Sequence, residues 1–273
     1  MIELLELYGP CISTASLDEW PRHRKVLATP FNESAMKFVC DESIQQTKQM
    51  LKAWTGQNTT VGKDTRTLSL NVLAASGFRR SFPFQSSSVP NQTADAAASY
   101  RDALSTVLDN VILLMLVPYQ YLQLPVLPRS LQRIGKAGAG YKEHMERMLK
   151  EEMAAFERGG PGTGGLMTYF VRALNTREAQ QAGTGKTQGL SKEEILGNIF
   201  VINFAGHDTT TNTLAFAMLL LAMKPHVQEW LAQEVSEVVA EGDEWNYGSM
   251  FSRLIHCRAV LVRLYIELIS VHY

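Results

Sequence analysis

Residues 204–213 read Phe-Ala-Gly-His-Asp-Thr-Thr-Thr-Asn-Thr, a polar island inside an apolar stretch. Ile195, Leu196, Ile199, Phe200, Val201, Ile202 and Phe204 precede it, and Leu214, Phe216, Met218, Leu219, Leu220 and Leu221 follow. A helix with apolar residues on every face has no wet side. A hydroxyl or amide buried there without a partner costs about 1–3 kcal/mol, and an unpaired carboxylate more. The run His207–Asn212 therefore implies something polar to hold or some chemistry to do. Asp208 beside Thr209 suits proton transfer, because a hydroxyl and a nearby carboxylate can pass protons where water is mostly excluded. The same two residues also suit a kink device or a satisfied polar layer between helices. His207 reads as a packing or substrate-side residue rather than a ligand. A second pair, Trp20 and Arg24, sits one helical turn apart and so shares a face. Indole N–H and guanidinium can both donate to a carboxylate. Taken alone, they are more often a core aromatic and a surface salt-bridge partner.

The element that must position Asp208 and Thr209 is a long helix. Ser191-Lys-Glu-Glu194 is a capping box that opens it, and Lys224-Pro225 closes it. The span is about 33 residues, or roughly 50 Å at ~1.5 Å per residue. Gly206 and the threonines at 209–211 weaken its middle, since threonine hydroxyls can bond the carbonyl one turn back. A local bend or widened turn is expected at Ala205–Thr210. Helical periodicity dominates the rest, with helices expected near 19–38, 42–54, 64–77, 95–115, 129–157, 166–174, 191–223, 226–240 and 249–268. Joints are expected near 81–93, 116–129, 159–165 and 176–189, the third a flexible run of glycines and the last polar and mobile. No strand alternation or internal repeat is present.

Ala205-Gly206-His207-Asp208-Thr209-Thr210 matches [Ala/Gly]-Gly-x-[Asp/Glu]-Thr-[Thr/Ser], the signature of the central helix in haem-thiolate monooxygenases. The chain resembles that family, the cytochromes P450, over nearly its whole length. Asp18-Glu-Trp20-Pro-Arg-His-Arg24-Lys is similar to the family's Trp-x-x-x-Arg helix, and Asn71–Phe78 to its helix ending in Gly-Phe. The resemblance implies an all-α fold, the central part of the cytochrome P450 fold built round one long buried helix, with residues 1–273 a partial domain. It implies a haem cofactor, with Ala205 and Gly206 leaving room above it for dioxygen. It makes Asp208 and Thr209 the acid–alcohol pair that relays protons, and Trp20 and Arg24 the donors to a haem propionate. A small lipophilic substrate and an NADPH-cytochrome P450 reductase are the implied partners of a complete protein. The lean toward filamentous-fungal members suggests secondary metabolism.

The departures from the family pattern matter as much. Its iron ligand is the cysteine of Phe-x-x-Gly-x-Arg-x-Cys-x-Gly, and none of Cys11, Cys40 and Cys257 sits in that sequence. The chain thus offers no metal ligand. The Glu-x-x-Arg pair is broken too, because Val260 stands three residues before Arg263. The expectation is a monooxygenase by resemblance that is truncated and inactive as written. The alternative is a non-catalytic remnant or a helical binding protein. Without its C-terminal layer, apolar faces of 195–221 are expected to be partly exposed.

Composition sets further bounds. A net charge of −1 does not suggest a nucleic-acid partner. Three irregularly spaced cysteines do not make a disulfide framework, which points to a reducing compartment. No stretch approaches the ~20 apolar residues that span a bilayer. A cytoplasmic location is expected as written, and the endoplasmic reticulum membrane for full-length family members. The basic run Arg22–Lys25 is expected to be a solvated face or a propionate contact. Gly183-Thr-Gly-Lys-Thr187 lacks the spacing of a phosphate loop. Asn32-Glu-Ser fits a glycosylation pattern only by accident.

Overall fold

A computed structural model describes residues 5–54, 61–79, 81–84, 96–160, 162–181, 189–240 and 247–270. These form helices α1 (Trp20–Ala28), α2 (Glu33–Trp54), α3 (Val61–Phe78), α4 (Ala96–Asp109), α5 (Val111–Leu116), α6 (Arg129–Glu157), α7 (Leu166–Gln181), α8 (Lys192–Met223), α9 (Pro225–Ala240), α10 (Tyr247–Met250) and α11 (Ile255–Ser270). No strand occurs among the described residues. The all-α expectation holds.

The breaks between helices are set by local chemistry. The expected helix 19–38 divides, because Pro30 cannot continue α1 and disfavours the helical conformation just before it. Asn32 then caps α2, its Oδ1 accepting from the Ala35 N–H at 3.1 Å, while its amide donates to the Tyr169 hydroxyl at 2.8 Å. The expected helix 95–115 divides at Asn110, whose side chain turns back to the Thr106 carbonyl at 2.9 Å. The expected end of α7 at 174 is too early. The helix runs on to Gln181, because Arg177 is held by an ion pair that propensity does not reveal. The stretch 182–188, with the loop-like Gly183–Thr187, lies outside the described residues, as does 85–93 of the joint 81–93. The glycine joint 159–165 is anchored rather than free. Gly159, Gly162 and Gly164 adopt φ of 78°, 80° and 76°, and the buried Glu152 carboxylate accepts from the Thr163 N–H at 2.8 Å and the Thr168 hydroxyl at 2.5 Å.

The core lies where α8 meets α3, α6 and the N-terminal segment. Phe200, Ile195, Leu196 and Ile199 of α8 are buried with Leu70 and Ala74 of α3, Tyr141, Met145 and Leu149 of α6, and Phe170 of α7. An aromatic stack ties the segment before α1 into it, with the Tyr8 ring 5.8 Å from Tyr119 and 5.4 Å from both Tyr141 and Phe200. The chain crosses α6 closely here. A Cβ on Gly138 would lie 2.8 Å from the Tyr119 Cβ, and Tyr8 donates to the Gly138 carbonyl at 3.0 Å. Gly138→Ala is expected to cost about 1–3 kcal/mol, the range for overpacking a filled site, despite alanine's better helix propensity. Urea denaturation measures it, and a variant as stable as the parent would show that Tyr119 can yield.

Helix α8 starts as read, with both halves of the capping box formed. It is α-helical throughout, so no widened turn interrupts Ala205–Thr210. The reason lies in its neighbours: α3 packs along this stretch and splints it. The expectation of burial on every side holds only for the first third. From Ala205 onward one side is open, and Phe216, Leu219 and Met223 are exposed.

Candidate haem-facing site

Two helices present the residues singled out by sequence, and a buried ion cluster fixes one to the other. On α1, Trp20 is 46% exposed and Arg24 is exposed, with no hydrogen bond or ion pair to Arg24 among the described residues. Arg22 lies on the opposite side of α1 and turns inward. The basic run 22–25 is therefore not one solvated face. The Arg22 guanidinium grips the Glu194 carboxylate at 2.6 and 2.9 Å and donates to the Gly189 carbonyl at 2.7 Å. Arg177 of α7 adds a contact to Glu194 at 2.8 Å. His23 is buried, its Nδ1 accepting from the Asn198 amide at 3.1 Å and its Nε2 facing Glu194 at 3.4 Å, which suits the Nε2–H tautomer. Asn198 in turn accepts from the Ile12 N–H at 2.8 Å. Burial alone would raise the Glu194 pKa, but hydrogen bonds from Arg22, His23 and the Ser191 N–H hold it well below the usual carboxylate range. Sequence shows Glu194 only as a capping residue. Its role as the clasp between α1, α7 and α8 has no local signal.

On α8, Ala205 and Thr209 stand one turn apart on the open side, and the Thr209 hydroxyl donates to the Ala205 carbonyl at 2.7 Å. Gly206 and His207 turn to α3. A Cβ on Gly206 would sit 3.3 Å from Leu73, and the Ser69 hydroxyl donates to the His207 carbonyl at 3.3 Å. Asp208 lies between these sides. Arg66 of α3 donates to its Oδ1 at 3.0 Å and also pairs with Asp109 at the end of α4. A cleft of about 570 Å³, lined by Arg66, Asp109, Asn110, Ile112 and Asp208, opens there. Both ion pairs are partly solvated, so each contributes at most about 1 kcal/mol and Arg66 can exchange between them cheaply. The structure thus pairs Ala205 with Thr209 and gives Asp208 a cation. It forms no hydrogen bond or ion pair between these residues and Trp20 or Arg24. Arg66 and Asp109 escape a sequence reading, because nothing local shows that α3 and α4 meet α8 there.

The donor set suits the edge and open face of a haem and not its axial bond. Exposed indole and guanidinium donors lie on α1, and a small residue with a hydroxyl on α8. None of the three cysteines stands in the iron-ligand sequence. Cys11 is fully buried. Burial and then Asp41 push the Cys40 thiol up; burial, then Glu234, does the same to Cys257. Among the described residues no cluster of three or more His, Cys, Asp or Glu could hold a metal ion, and no helix is long and apolar enough to cross a membrane.

The body is mainly helical round one long central helix, with Asp208 and Thr209 at its middle and Trp20 and Arg24 exposed on a flanking helix, and its fold is that of haem domains. The family profile described as Cytochrome P450 matches residues 8–254, and the chain belongs to that family. It is 30% identical over 267 residues to cytochrome P450 monooxygenase 124 of Postia placenta, covering 95% of this chain and 49% of that one. It is 26% identical over 254 residues to the phomenoic acid biosynthesis cluster cytochrome P450 monooxygenase of Leptosphaeria maculans, covering 88% and 43%. The crystal structure of the cytochrome P450DA heme domain superposes with a TM-score of 0.67 at 22% identity, covering 95% of this chain and 52% of that one. The chain spans about half the length of the relatives it matches.

Proposed function

We propose that this chain carries the oxygen-facing half of a haem monooxygenase site and does not complete that site by itself. The observation that supports this most is the pairing at the middle of α8. Ala205 and Thr209 share the open side, and Asp208 beside them is held by a cation it can release. When bound, a haem supplies the dioxygen chemistry, and the family fold supports that cofactor. Trp20 and Arg24 would donate to its propionates. Ala205 would keep bulk away from the bound face, whereas Gly206, expected to share that role, turns to Leu73 of α3 instead. Thr209 would hold a proton at Oγ1, and Asp208 would replenish it from the cleft beside Arg66. The substrate in this reading is a small lipophilic molecule and the electron donor an NADPH-dependent reductase. The phomenoic acid biosynthesis cluster of the Leptosphaeria maculans relative favours secondary metabolism. The second reading, a non-catalytic remnant, is favoured by the cysteines, none of which stands in the family's iron-ligand sequence. The missing thiolate removes the electron push that favours O–O cleavage.

The purified chain with added haem is expected to give no thiolate-type Soret band in a reduced-plus-carbon-monoxide difference spectrum. Binding of haem that weakens in Arg24→Gln is expected if α1 holds a propionate. A thiolate-type band would overturn the incomplete-site reading, and haem binding indifferent to both Arg24 and Trp20 would overturn the propionate assignment.

A further inference from the structure

His207 is 1% exposed, yet neither ring nitrogen has a hydrogen-bond partner. The Thr211 hydroxyl, one turn on along the same side of α8, is also buried without one. Buried polar groups are nearly always satisfied, so an imidazole with two idle nitrogens at the centre of the helix needs a reason. Consecutive residues on a helix do not face each other. Even so, His207 Nε2 lies 4.0 Å from Asp208 Oδ1, the oxygen that accepts from Arg66 at 3.0 Å. Arg66 is shared with Asp109. A neutral imidazole gains little at that distance, whereas a protonated one gains an ion pair whose histidine side is shielded from solvent and whose carboxylate side is partly solvated.

We infer that His207 is the proton-holding partner of Asp208: when Arg66 turns wholly to Asp109, a protonated His207 takes its place at Asp208 Oδ1. Asp208 lines the cleft and His207 does not, so the proton enters through the carboxylate, is held at Nε2 and passes back to the carboxylate, and no bond between heavy atoms changes. The charged groups facing the ring are Asp208 on α8, Arg66 on α3 and Asp109 at the end of α4. Burial lowers the His207 pKa, Asp208 raises it, Arg66 lowers it and Asp109 raises it. Removing Arg66 therefore frees both the space and the charge for His207 to protonate. This rests on the proton relay proposed above and deepens it by naming the group that stores a proton for Asp208. It involves only this chain's own side chains.

The test is a pH titration of the His207 imidazole by long-range ¹H–¹⁵N NMR, on the full chain labelled at histidine and without haem. The wild type, Arg66→Gln, Asp208→Asn and the double variant are compared. Arg66 and Asp208 are partly solvated, so these variants keep the core, and far-ultraviolet circular dichroism checks that they do. The midpoint is expected to rise in Arg66→Gln, with a low-field Nε2–H resonance appearing, and to fall in Asp208→Asn. In the double variant most of the rise is expected to vanish, since it needs the carboxylate, leaving only what the lost Arg66 charge contributes. A rise as large in the double variant as in Arg66→Gln alone would reduce Arg66 to a distant like charge and overturn the partnership. So would a midpoint that Arg66→Gln leaves unmoved. Failure to bind haem would leave these outcomes untouched, which separates this inference from the function proposed above.

Discussion

Glu194→Gln is expected to destabilise the fold by about 3–5 kcal/mol, the range for removing one partner from a buried ion pair. The carboxylate receives Arg22 at 2.6 Å and Arg177 at 2.8 Å, with His23 facing it at 3.4 Å, and it completes the capping box of α8. Glutamine keeps one acceptor oxygen but removes the charge that two guanidinium groups share and puts an amide donor against them, so their desolvation is no longer compensated. The sequence position that opens α8 also sets where α1, with Trp20 and Arg24, lies against it. The pH dependence follows from the direction of the shift. The folded pKa lies below the unfolded one, so the contribution is fully present above about pH 4.3 and is lost as pH falls from there toward the folded value. Urea denaturation across that range should show the parent weakening steeply and Glu194→Gln much less. Arg22→Met combined with Glu194→Met is expected to recover part of the loss, because apolar replacement of a buried pair is often tolerated. Equal acid sensitivity of parent and Glu194→Gln would remove Glu194 as the clasp.

Phe200→Ala is expected to cost about 3–5 kcal/mol, the range for truncating a fully buried phenylalanine. Its ring is 0% exposed, meets Tyr8 edge-on at 5.4 Å and stacks on Phe204 at 6.1 Å. Those contacts hold the segment before α1 onto α8 one turn ahead of Ala205, so the damage reaches the wall of the site as well as the core. The midpoint of thermal unfolding should fall on the order of 10 °C, given the few degrees that each kcal/mol shifts a domain of this size. Phe200→Leu is expected to lose less than about 1.5 kcal/mol, since it keeps most of the volume. A loss below 1 kcal/mol in Phe200→Ala, on the order of surface substitutions, would mean that Tyr8 collapses into the gap and does not clamp.

Sequence alone determined the helix that matters and its boundaries. Ser191 and Glu194 announce its start and Pro225 its end, because caps and proline act through neighbouring backbone and leave local marks. The polar island and its family signature are local in the same way, and so is the one-turn spacing of Trp20 and Arg24. The absence of an iron-binding cysteine motif was equally legible. Tertiary structure decided the rest. It sent Arg22 inward to Glu194 while leaving Arg24 outside, gave Asp208 the cation Arg66 from α3, and turned Gly206 toward Leu73. It also opened one side of α8 beyond Ala205 while burying His207 on the other. These outcomes depend on which helices meet and at what height. Partners 142 or 172 residues apart in the chain leave no periodic trace that a single sequence can carry.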